Sequence, residues 1–247
     1  MAPRRSPPRT YALPLAPILF DTADDGLAAE MAMLSAVASG DTRRAAFFWS
    51  VAAPCLVLPD RYARSETYPQ AARTCAAAGW PVTTRKTGGG ITPQGPGVLN
   101  VALAFTVAPP KGRDIRGSYA EITDPLTEAF ASLGIASSAQ PVEGSFCDGD
   151  YNLAVAGRKI VGTAQRWRGN TCLAHALILI DIDLAPAVTA VQQLATALGH
   201  DTRFALDVHS RLADLAAHPD TLTEDLNAAL HKALANRAYA DWTPASA

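Results

Sequence analysis

The feature that most constrains the fold is an apolar run at residues 173–182, with the sequence LAHALILIDI. This run is too short to cross a bilayer, which takes about 20 apolar residues, but it is typical of a strand buried on both faces. Just before it, segments 152–156 and 159–165 flank Gly157-Arg158, a pattern that indicates a β-hairpin. Since a hairpin pairs its strands antiparallel, the sequence predicts an antiparallel sheet around a buried central strand.

Helix and strand signals elsewhere extend and cover this sheet. Pro125 predicts a break or a late start in the third helix. Because the elements do not alternate strictly, the predicted class is α+β, with a mostly antiparallel sheet flanked by helices. Amphipathic spacing predicts helices at 24–37, 68–78, 118–133, 186–198 and 222–238, and short apolar runs predict strands at 47–51, 55–58, 81–84 and 98–107.

The sequence contains no Pro/Gly/Ser-rich linker, so we expect residues 21–247 to form a single domain. Residues 1–20 predict an extended N-terminal segment that precedes it. Their apolar stretch follows a basic start, but Pro14 and Pro17 interrupt it and no convincing signal-peptide cleavage site follows.

Composition argues against several classes of function. The 247 residues carry a net charge of −2, with no basic excess for a nucleic acid or an anionic membrane, and no apolar run long enough for a membrane span. The four cysteines, Cys55, Cys75, Cys147 and Cys172, form no C-x-x-C pair and no zinc spacing. We therefore expect no metal site, and a cytoplasmic protein with reduced thiols.

Lysine is rare in this chain. Of 21 basic residues only four are lysines, Lys86, Lys111, Lys159 and Lys232, and the rest are arginines. Arginine cannot replace a compact ammonium whose pKa is shifted by its surroundings, so each retained lysine is a candidate functional residue. Retention by chance is the alternative for any one of them.

A glycine-rich segment is the first candidate for a binding site. Three successive glycines, Gly88–Gly90, follow Arg85 and precede a strand that begins near Asn100. Such a run lets a ligand approach the backbone closely and offers free N–H groups, while Arg85 adds a forked cationic donor. The alternative is a flexible hairpin with an exposed arginine. The pattern fits neither a P-loop nor a dinucleotide-binding fingerprint.

Cys147 is the cysteine best placed to react, because it lies in a polar, glycine-containing loop just before a strand. The flanking acids Asp148 and Asp150 should raise the pKa of its thiol unless a cation offsets them. The alternative is an inert loop thiol. The other cysteines occupy apolar elements and are typical of small core residues.

Lys159 follows Cys147 by twelve residues and begins the second arm of the predicted hairpin. A loop, a strand and a tight turn can bring the two side chains together, so that Lys159 could stabilise a thiolate or a developing oxyanion. Gly162 and Ala164 would leave room for a ligand chain. An ordinary solvated hairpin lysine is the alternative. His175, within the apolar run, is by itself typical of a hydrogen-bonded core histidine.

Together these segments resemble one family. The run RKTGGGITPQGPGVLN resembles the R-R-x-[ST]-G-G-G-…-G-x-L-N signature of the catalytic domain shared by lipoate-protein ligases, octanoyltransferases and biotin-protein ligases, with Thr84 in place of the first arginine. The run YNLAVAGRKIVGTAQRWRG and the strand after it are similar to the family's G-[RK]-K-[IF]-x-G-x-[AS]-Q segment. The resemblance covers about residues 24–215, although 207–215 match only loosely. Biotin ligases keep a different glycine loop, which favours protein lipoylation.

The resemblance implies an α+β fold related to class II synthetases and an enzyme that handles octanoyl or lipoyl groups. The acceptor would be a lysine on a lipoyl domain of a 2-oxoacid dehydrogenase or on the glycine-cleavage H protein. Lys159 would bind the acyl carbonyl or phosphate oxygens. The implied acyl- and substrate-binding residues are Arg85, Thr87, Gly88, Gly89, Gly90, Asn100, Gly162, Thr163, Ala164 and His175.

Three activities remain open within this resemblance. The run C-x-G-x-Y-[DN]-L at residues 147–153 is similar to that of cysteine-dependent octanoyl-H-protein amidotransferases. This implies that Cys147 forms an acyl-thioester, assisted by Lys159, with no cofactor. The second reading is a lipoate-protein ligase that uses ATP and Mg²⁺ to form lipoyl-AMP. The third is a non-catalytic protein that binds the acyl group or the carrier.

Overall fold

The computed structural model describes residues 16–107 and 113–244. The predicted N-terminal segment, residues 1–20, lies outside the described residues except for its last five, which include an extended strand. The strands β1 to β11 are Ile18–Phe20, Arg44–Val51, Cys55–Pro59, Val82–Arg85, Thr92–Gln94, Val98–Thr106, Ser138–Ala139, Leu153–Val155, Arg158–Arg168, Thr171–Leu179 and Ala240–Asp241. The helices α1 to α5 are Ala23–Ser39, Tyr68–Ala77, Ile115–Ser132, Leu184–Ala197 and Leu222–Ala235.

Eight of the described strands form the main sheet. Its order is β1-β2-β6-β10-β9-β8-β7, and β11 also pairs with β2. Neighbours are antiparallel except where β1 and β11 run parallel to β2. A smaller sheet has the order β4-β3-β5. The predicted α+β class with a mostly antiparallel sheet flanked by helices is confirmed.

The apolar run becomes the central strand β10, which lies between β6 and β9 and is buried along most of its length. The predicted hairpin before it is also present, formed by β8 and β9. Its turn residues Ala156 and Gly157 have φ values of 50° and 75°. Two successive positive φ values are those of a tight turn whose twist matches the paired strands.

The predicted break at Pro125 is wrong. Helix α3 starts earlier than expected and continues through Pro125. A proline inside a helix removes one backbone hydrogen bond. Here the apolar face of the helix, which includes Ile122, Leu126 and Phe130, is fully buried against the main sheet and α5. This burial outweighs the lost hydrogen bond.

The two faces of the main sheet are covered differently. Helices α3 and α5 pack on one face. On the other face lie α1 and, next to it, the small sheet with α2 and α4. This second face carries Asn100, His175 and Leu177. The candidate residues therefore meet in a space between the main sheet and the small sheet. No helix within residues 16–107 and 113–244 has the length and apolar character needed to cross a bilayer.

Candidate active site

The loop before β8 presents Cys147 on a strained backbone. Cys147 has a φ of 52°, a left-handed conformation that is uncommon for residues other than glycine. The preceding side chain, Phe146, is fully buried and stacks on the ring of His209 with centroids 4.3 Å apart. The Phe146 N–H donates to His209 Nε2 at 3.2 Å. These contacts between Phe146 and His209 fix the loop, and they maintain the strained backbone conformation of Cys147.

The thiol lies directly against the glycine loop. Gly90 N–H donates to Cys147 Sγ at 3.0 Å, and Arg85 Nη2 lies 3.9 Å from the same sulfur. A Cβ atom on Gly89 would come within 2.7 Å of the sulfur, and on Gly90 within 3.2 Å of the cysteine Cα. The triple glycine is thus needed for the close approach of this cysteine.

Gly89→Ala is expected to lower the turnover rate by roughly 10²-fold, the cost of about 1 Å of misplacement at a reacting centre. The added methyl group would collide with the thiol, and the φ of 95° at Gly89 disfavours any side chain. Gly88→Ala is the matched control, because a Cβ there meets nothing within 4 Å. Steady-state rates of both variants test this, and equal losses in the two would contradict it.

Arg85 holds the glycine loop in place. Its Nη1 donates to Val57 O at 3.0 Å, and its Nη2 donates to Gly88 O and Gly90 O at 2.9 and 2.8 Å. The residue is only 4% exposed. The alternative of a solvated arginine beside a flexible hairpin is therefore wrong. Its guanidinium keeps a fixed positive charge next to the Cys147 sulfur.

Lys159 supports the same loop from inside the protein. It is 0% exposed, and its Nζ donates to Phe146 O and, at 2.9 Å, to Cys147 O. The alternative of a solvated hairpin lysine is wrong. A Cβ on Gly162 would lie 3.3 Å from Nζ, so this glycine makes room for the ammonium. Lys159 thus donates to two successive backbone carbonyls of the loop, and its positive charge acts on the thiol.

The combined surroundings favour the thiolate. Burial alone would raise the pKa of the Cys147 thiol, but the charges of Lys159 and Arg85 and the hydrogen bond from Gly90 lower it below its usual value. The two cations thus offset the acidic residues beside Cys147. Asp148 Oδ1 accepts hydrogen bonds from Val142 N–H at 2.7 Å and Gly149 N–H at 2.8 Å, which bonds that oxygen to the loop backbone.

Burial also shifts the two groups beneath the loop. It lowers the pKa of Lys159 to about 8, although the charges of Cys147 and Asp148 act in the opposite direction. It lowers the pKa of His209 to about 4, and the nearby charge of Lys159 adds to that shift. His209 is therefore neutral at physiological pH, and its Nε2 can accept the hydrogen bond from Phe146.

The protein is expected to lose stability in mild acid because of His209. The unfolded chain takes up this proton near pH 6.5 and the folded chain only near pH 4, so each pH unit between them costs about 1.4 kcal/mol. Urea unfolding at pH 7 and pH 5 should show a drop of about 2 kcal/mol that His209→Gln removes. The exposed His218→Gln serves as the control. An unchanged drop in His209→Gln would contradict this assignment.

A narrow cavity, here called the inner cavity, opens beside the thiol. Its lining includes a row of paired residues that crosses the main sheet, from Gly162 on β9 through Leu177 and Asn100 to Trp49 on β2. Three strand spacings give the row a span of about 14 Å. Val57 of the small sheet and Leu27 of α1 line it as well. Its volume is about 30 Å³, room for roughly one water molecule, because the side chains that line it lie close together.

Two hydrogen-bonded groups line the inner cavity. Asn100 and Gln94 form a reciprocal pair of amide hydrogen bonds at 2.8 and 2.9 Å. Thr87 Oγ1 lies 3.1 Å from His175 Nε2, and His175 Nδ1 lies 2.8 Å from Glu30 Oε2. Glu30 in turn accepts a hydrogen bond from the indole of Trp49 at 3.0 Å. His175 is thus both a hydrogen-bonded histidine and part of the cavity wall.

The structure brings most of the predicted residues together. Cys147, Arg85, Asn100, Gly162, Thr163, Ala164 and His175 line the inner cavity. Thr163 has its hydroxyl bonded to Tyr151 O at 2.8 Å, which ties its side chain to the Cys147 loop. Thr87 reaches the site through His175, whereas a Cβ on Gly88 would contact nothing nearby. The described residues contain no cluster of three or more groups suited to a metal ion.

Sequence reasoning missed several contributors. His209 lies in the segment 207–215 that matched the family only loosely, yet the backbone on both sides of it bonds to Lys159, through Val208 O at 2.8 Å and Ser210 N–H at 2.9 Å. Glu30 and Gln94 carried no local signal. Asn152 donates to Cys147 O at 3.3 Å, a contact that its position in the run 147–153 does not predict.

Comparison with known families identifies this architecture. The family model described as the lipoyl protein ligase A/B catalytic domain matches residues 22–235. The chain therefore belongs to this family, and the membership predicted from the two sequence motifs is confirmed.

Several curated proteins are similar in sequence to this chain. The octanoyl-[GcvH]:protein N-octanoyltransferase of Kyrpidia tusciae is 35% identical over 116 residues, which cover 42% of this chain and 39% of that protein. The lipoyl-[GcvH]:protein N-lipoyltransferase of Listeria monocytogenes is 26% identical over 121 residues, covering 49% and 43%. An uncharacterised protein of Cupriavidus necator is 41% identical over 172 residues, covering 63% and 67%. The similarity thus spans about two fifths of the length of these transferases.

Solved structures share the fold. A putative lipoate protein ligase of Thermoplasma acidophilum with bound lipoic acid has a TM-score of 0.69 at 16% identity, covering 92% of this chain and 87% of that one. LipL1 of P. falciparum in complex with lipoate has a TM-score of 0.62 at 14% identity, covering 90% and 62%. These identities show the fold alone. The family match and the transferases above are what confirm the predicted class of enzyme, an acyltransferase or a lipoate-protein ligase.

Proposed function

We propose that this chain transfers an octanoyl group between lysines of carrier proteins through a thioester on Cys147. The observation that carries the proposal is the position of the thiol. Its sulfur accepts a hydrogen bond from Gly90 N–H at 3.0 Å, lies beside two buried cations and lines the inner cavity. A thiol whose pKa is lowered, at the end of a narrow cavity, is suited to nucleophilic acyl transfer.

The inner cavity would hold the acyl chain. An extended octanoyl chain is shorter than the row that leads from Gly162 to Trp49, and apolar side chains such as Leu27 and Val57, which line this path, would move apart to admit it. The relatives that are named for octanoyl transfer favour octanoyl over lipoyl. Residues 21–247 would act as one catalytic domain, and its four free cysteines suit a reducing cytoplasm.

Two steps complete the transfer. The Cys147 thiolate attacks the acyl carbonyl of an octanoyl-lysine, the C–S bond forms, the C–N bond breaks, and the departing amine takes a proton from solvent. A neutral lysine amine of the second carrier then attacks the thioester, the C–N bond forms, the thiolate leaves, and the amine releases a proton to solvent. We infer that the donor is the octanoylated glycine-cleavage H protein and the acceptor a lipoyl domain of a 2-oxoacid dehydrogenase.

The hydrogen bonds around the site support the transferase over an enzyme that uses ATP. An acyl-adenylate needs free cationic and N–H donors for its phosphate oxygens. Here Arg85 bonds to Val57, Gly88 and Gly90, Lys159 bonds to two loop carbonyls, and Gly90 N–H bonds to the sulfur. A lipoate-protein ligase that uses ATP and Mg²⁺ is therefore the second candidate function. A non-catalytic binding role would not explain why the pKa of the Cys147 thiol is lowered.

Transfer assays distinguish these readings. Purified protein is incubated with octanoyl-H protein and an unmodified lipoyl domain without ATP, and in parallel with lipoate, ATP and Mg²⁺. We expect octanoylated lipoyl domain in the first incubation only. Modification that requires ATP would assign the ligase activity instead, and carrier binding without modification in either incubation would assign the non-catalytic role.

A further inference from the structure

Cys147 also lines a second cavity, here called the outer cleft. The cleft is more open than the inner cavity, and its volume is about 280 Å³. Cys147 borders both cavities, and Gly90, whose N–H donates to its sulfur, lines the outer cleft. A carbonyl carbon attached to the sulfur, with its acyl chain in the inner cavity, would therefore be reached by an amine through the outer cleft.

The walls of the outer cleft combine apolar surface with several polar side chains, which are Arg61, Ser145, Asp148, His200 and Thr202. Tyr62, Ile91 and Phe204 supply the apolar surface. Asp148 supplies a carboxylate, and only its Oδ1 is used by the loop backbone and Asn152 within the described residues. This combination matches an aliphatic chain that ends in an amine.

Ser145 gives an independent indication of a ligand. This residue lines the outer cleft two positions before Cys147 and is only 2% exposed. Its hydroxyl is buried and has no hydrogen-bond partner among the residues of the described chain. A buried hydroxyl without a partner costs free energy, so its presence beside the thiol calls for an explanation. A nitrogen that enters the cleft would provide the missing partner.

We propose that the outer cleft is the binding site for the lysine side chain of the carrier, with its amine between the Asp148 carboxylate and the Ser145 hydroxyl. This inference rests on the proposed transferase function and assigns the amine side of that reaction. Tyr62, Ile91 and Phe204 would contact the four methylene groups of the lysine. The same site would receive the departing lysine in the first step and the attacking lysine in the second.

The charges of the outer cleft favour an amine over a nucleotide. Arg61 is the arginine that lines it, and its guanidinium is already bonded to Gly89 O and lies 4.7 Å from the centroid of the Tyr62 ring. His200 lies at the same wall, with its ring 5.1 Å from that of Tyr62. A phosphate near the thiol would face the Asp148 carboxylate, which would repel it.

Aminolysis of the loaded enzyme tests this assignment separately from thioester formation. The full chain is loaded with octanoyl-N-acetylcysteamine, and loading is checked by intact mass. The loaded protein is then mixed with Nα-acetyl-lysine methylamide over a range of concentrations. We expect Asp148→Asn and Ser145→Ala each to raise the KM for this amine about fivefold, the usual effect of one lost polar contact. Asp150→Asn, in the same loop but outside the cleft lining, is the control and should match the wild type.

The possible failures are distinguishable. If no octanoyl adduct forms, the proposed function fails, whatever the cleft binds. If the adduct forms but both variants keep the wild-type KM, the lysine site is wrong and the transferase proposal stands. An adduct that reacts with hydroxylamine but not with the lysine amide at any concentration would also overturn the lysine site.

Discussion

Replacing Cys147 with serine is expected to lower the rate of octanoyl transfer by roughly 10⁴-fold or more, as removal of a catalytic nucleophile does. Among residues 16–107 and 113–244, no general base is positioned to activate a hydroxyl at this point. Lys159 is bonded to two backbone carbonyls, and Arg85 keeps its proton at all relevant pH values. The site favours a group that is already ionised, which a thiol becomes readily and a hydroxyl does not.

The transfer rate from octanoyl-H protein to a lipoyl domain measures this loss. Cys75→Ser is the matched control, because Cys75 is a buried thiol on α2 whose pKa burial raises. We expect wild-type turnover in this control, apart from a reduced thermal stability. Activity of Cys147→Ser within tenfold of the wild type would show that the cysteine is not the nucleophile.

Replacing Lys159 should produce the second-largest loss, about 10²-fold or more, comparable to removal of a positioned charge-stabilising group. In Lys159→Met the charge that lowers the thiol pKa disappears, and the carbonyls of Phe146 and Cys147 lose their donor. Lys159→Arg should lose activity similarly, since Gly162 leaves space for an ammonium but not for a larger planar guanidinium.

The pH dependence of Cys147 alkylation by iodoacetamide separates the charge effect from misfolding. Because the pKa of the wild-type thiol is lowered, its alkylation rate should stay high on acidification and fall only as the pH passes below that value. In Lys159→Met the same fall should occur at a higher pH. Lys86→Met is the control, since Lys86 pairs with Asp60 at 2.6 Å on the surface. Identical alkylation profiles for wild type and Lys159→Met would contradict the role of this charge.

The parts of the site that could be predicted are those with a local signature. Three successive glycines, a cysteine in a polar loop and a lysine after a Gly-Arg turn each stand out in the sequence. Their association follows from a short hairpin, β8–β9, which the turn chemistry also predicts. The central strand β10 was predictable because its burial on both faces requires an unbroken apolar run.

The remainder depends on contacts between distant segments. Glu30 and His175 meet across 145 positions, and Phe146 and His209 across 63. A buried glutamate on an alanine-rich helix has no pattern of its own that predicts its partner. The direction of the Asp148 carboxylate was equally unpredictable, because it is set by the N–H groups that the folded loop presents. The strand β5 contains Pro93, a residue that argues against a strand except at an edge, which is where β5 lies.

The most direct test of the central claim is the mass of the protein after a brief incubation with octanoyl-H protein alone, without acceptor or ATP. We predict one added octanoyl group that hydroxylamine removes at neutral pH, that peptide mapping places on Cys147, and that an unmodified lipoyl domain discharges. An unmodified protein that nevertheless octanoylates the lipoyl domain when the acceptor is added would contradict a thioester at Cys147.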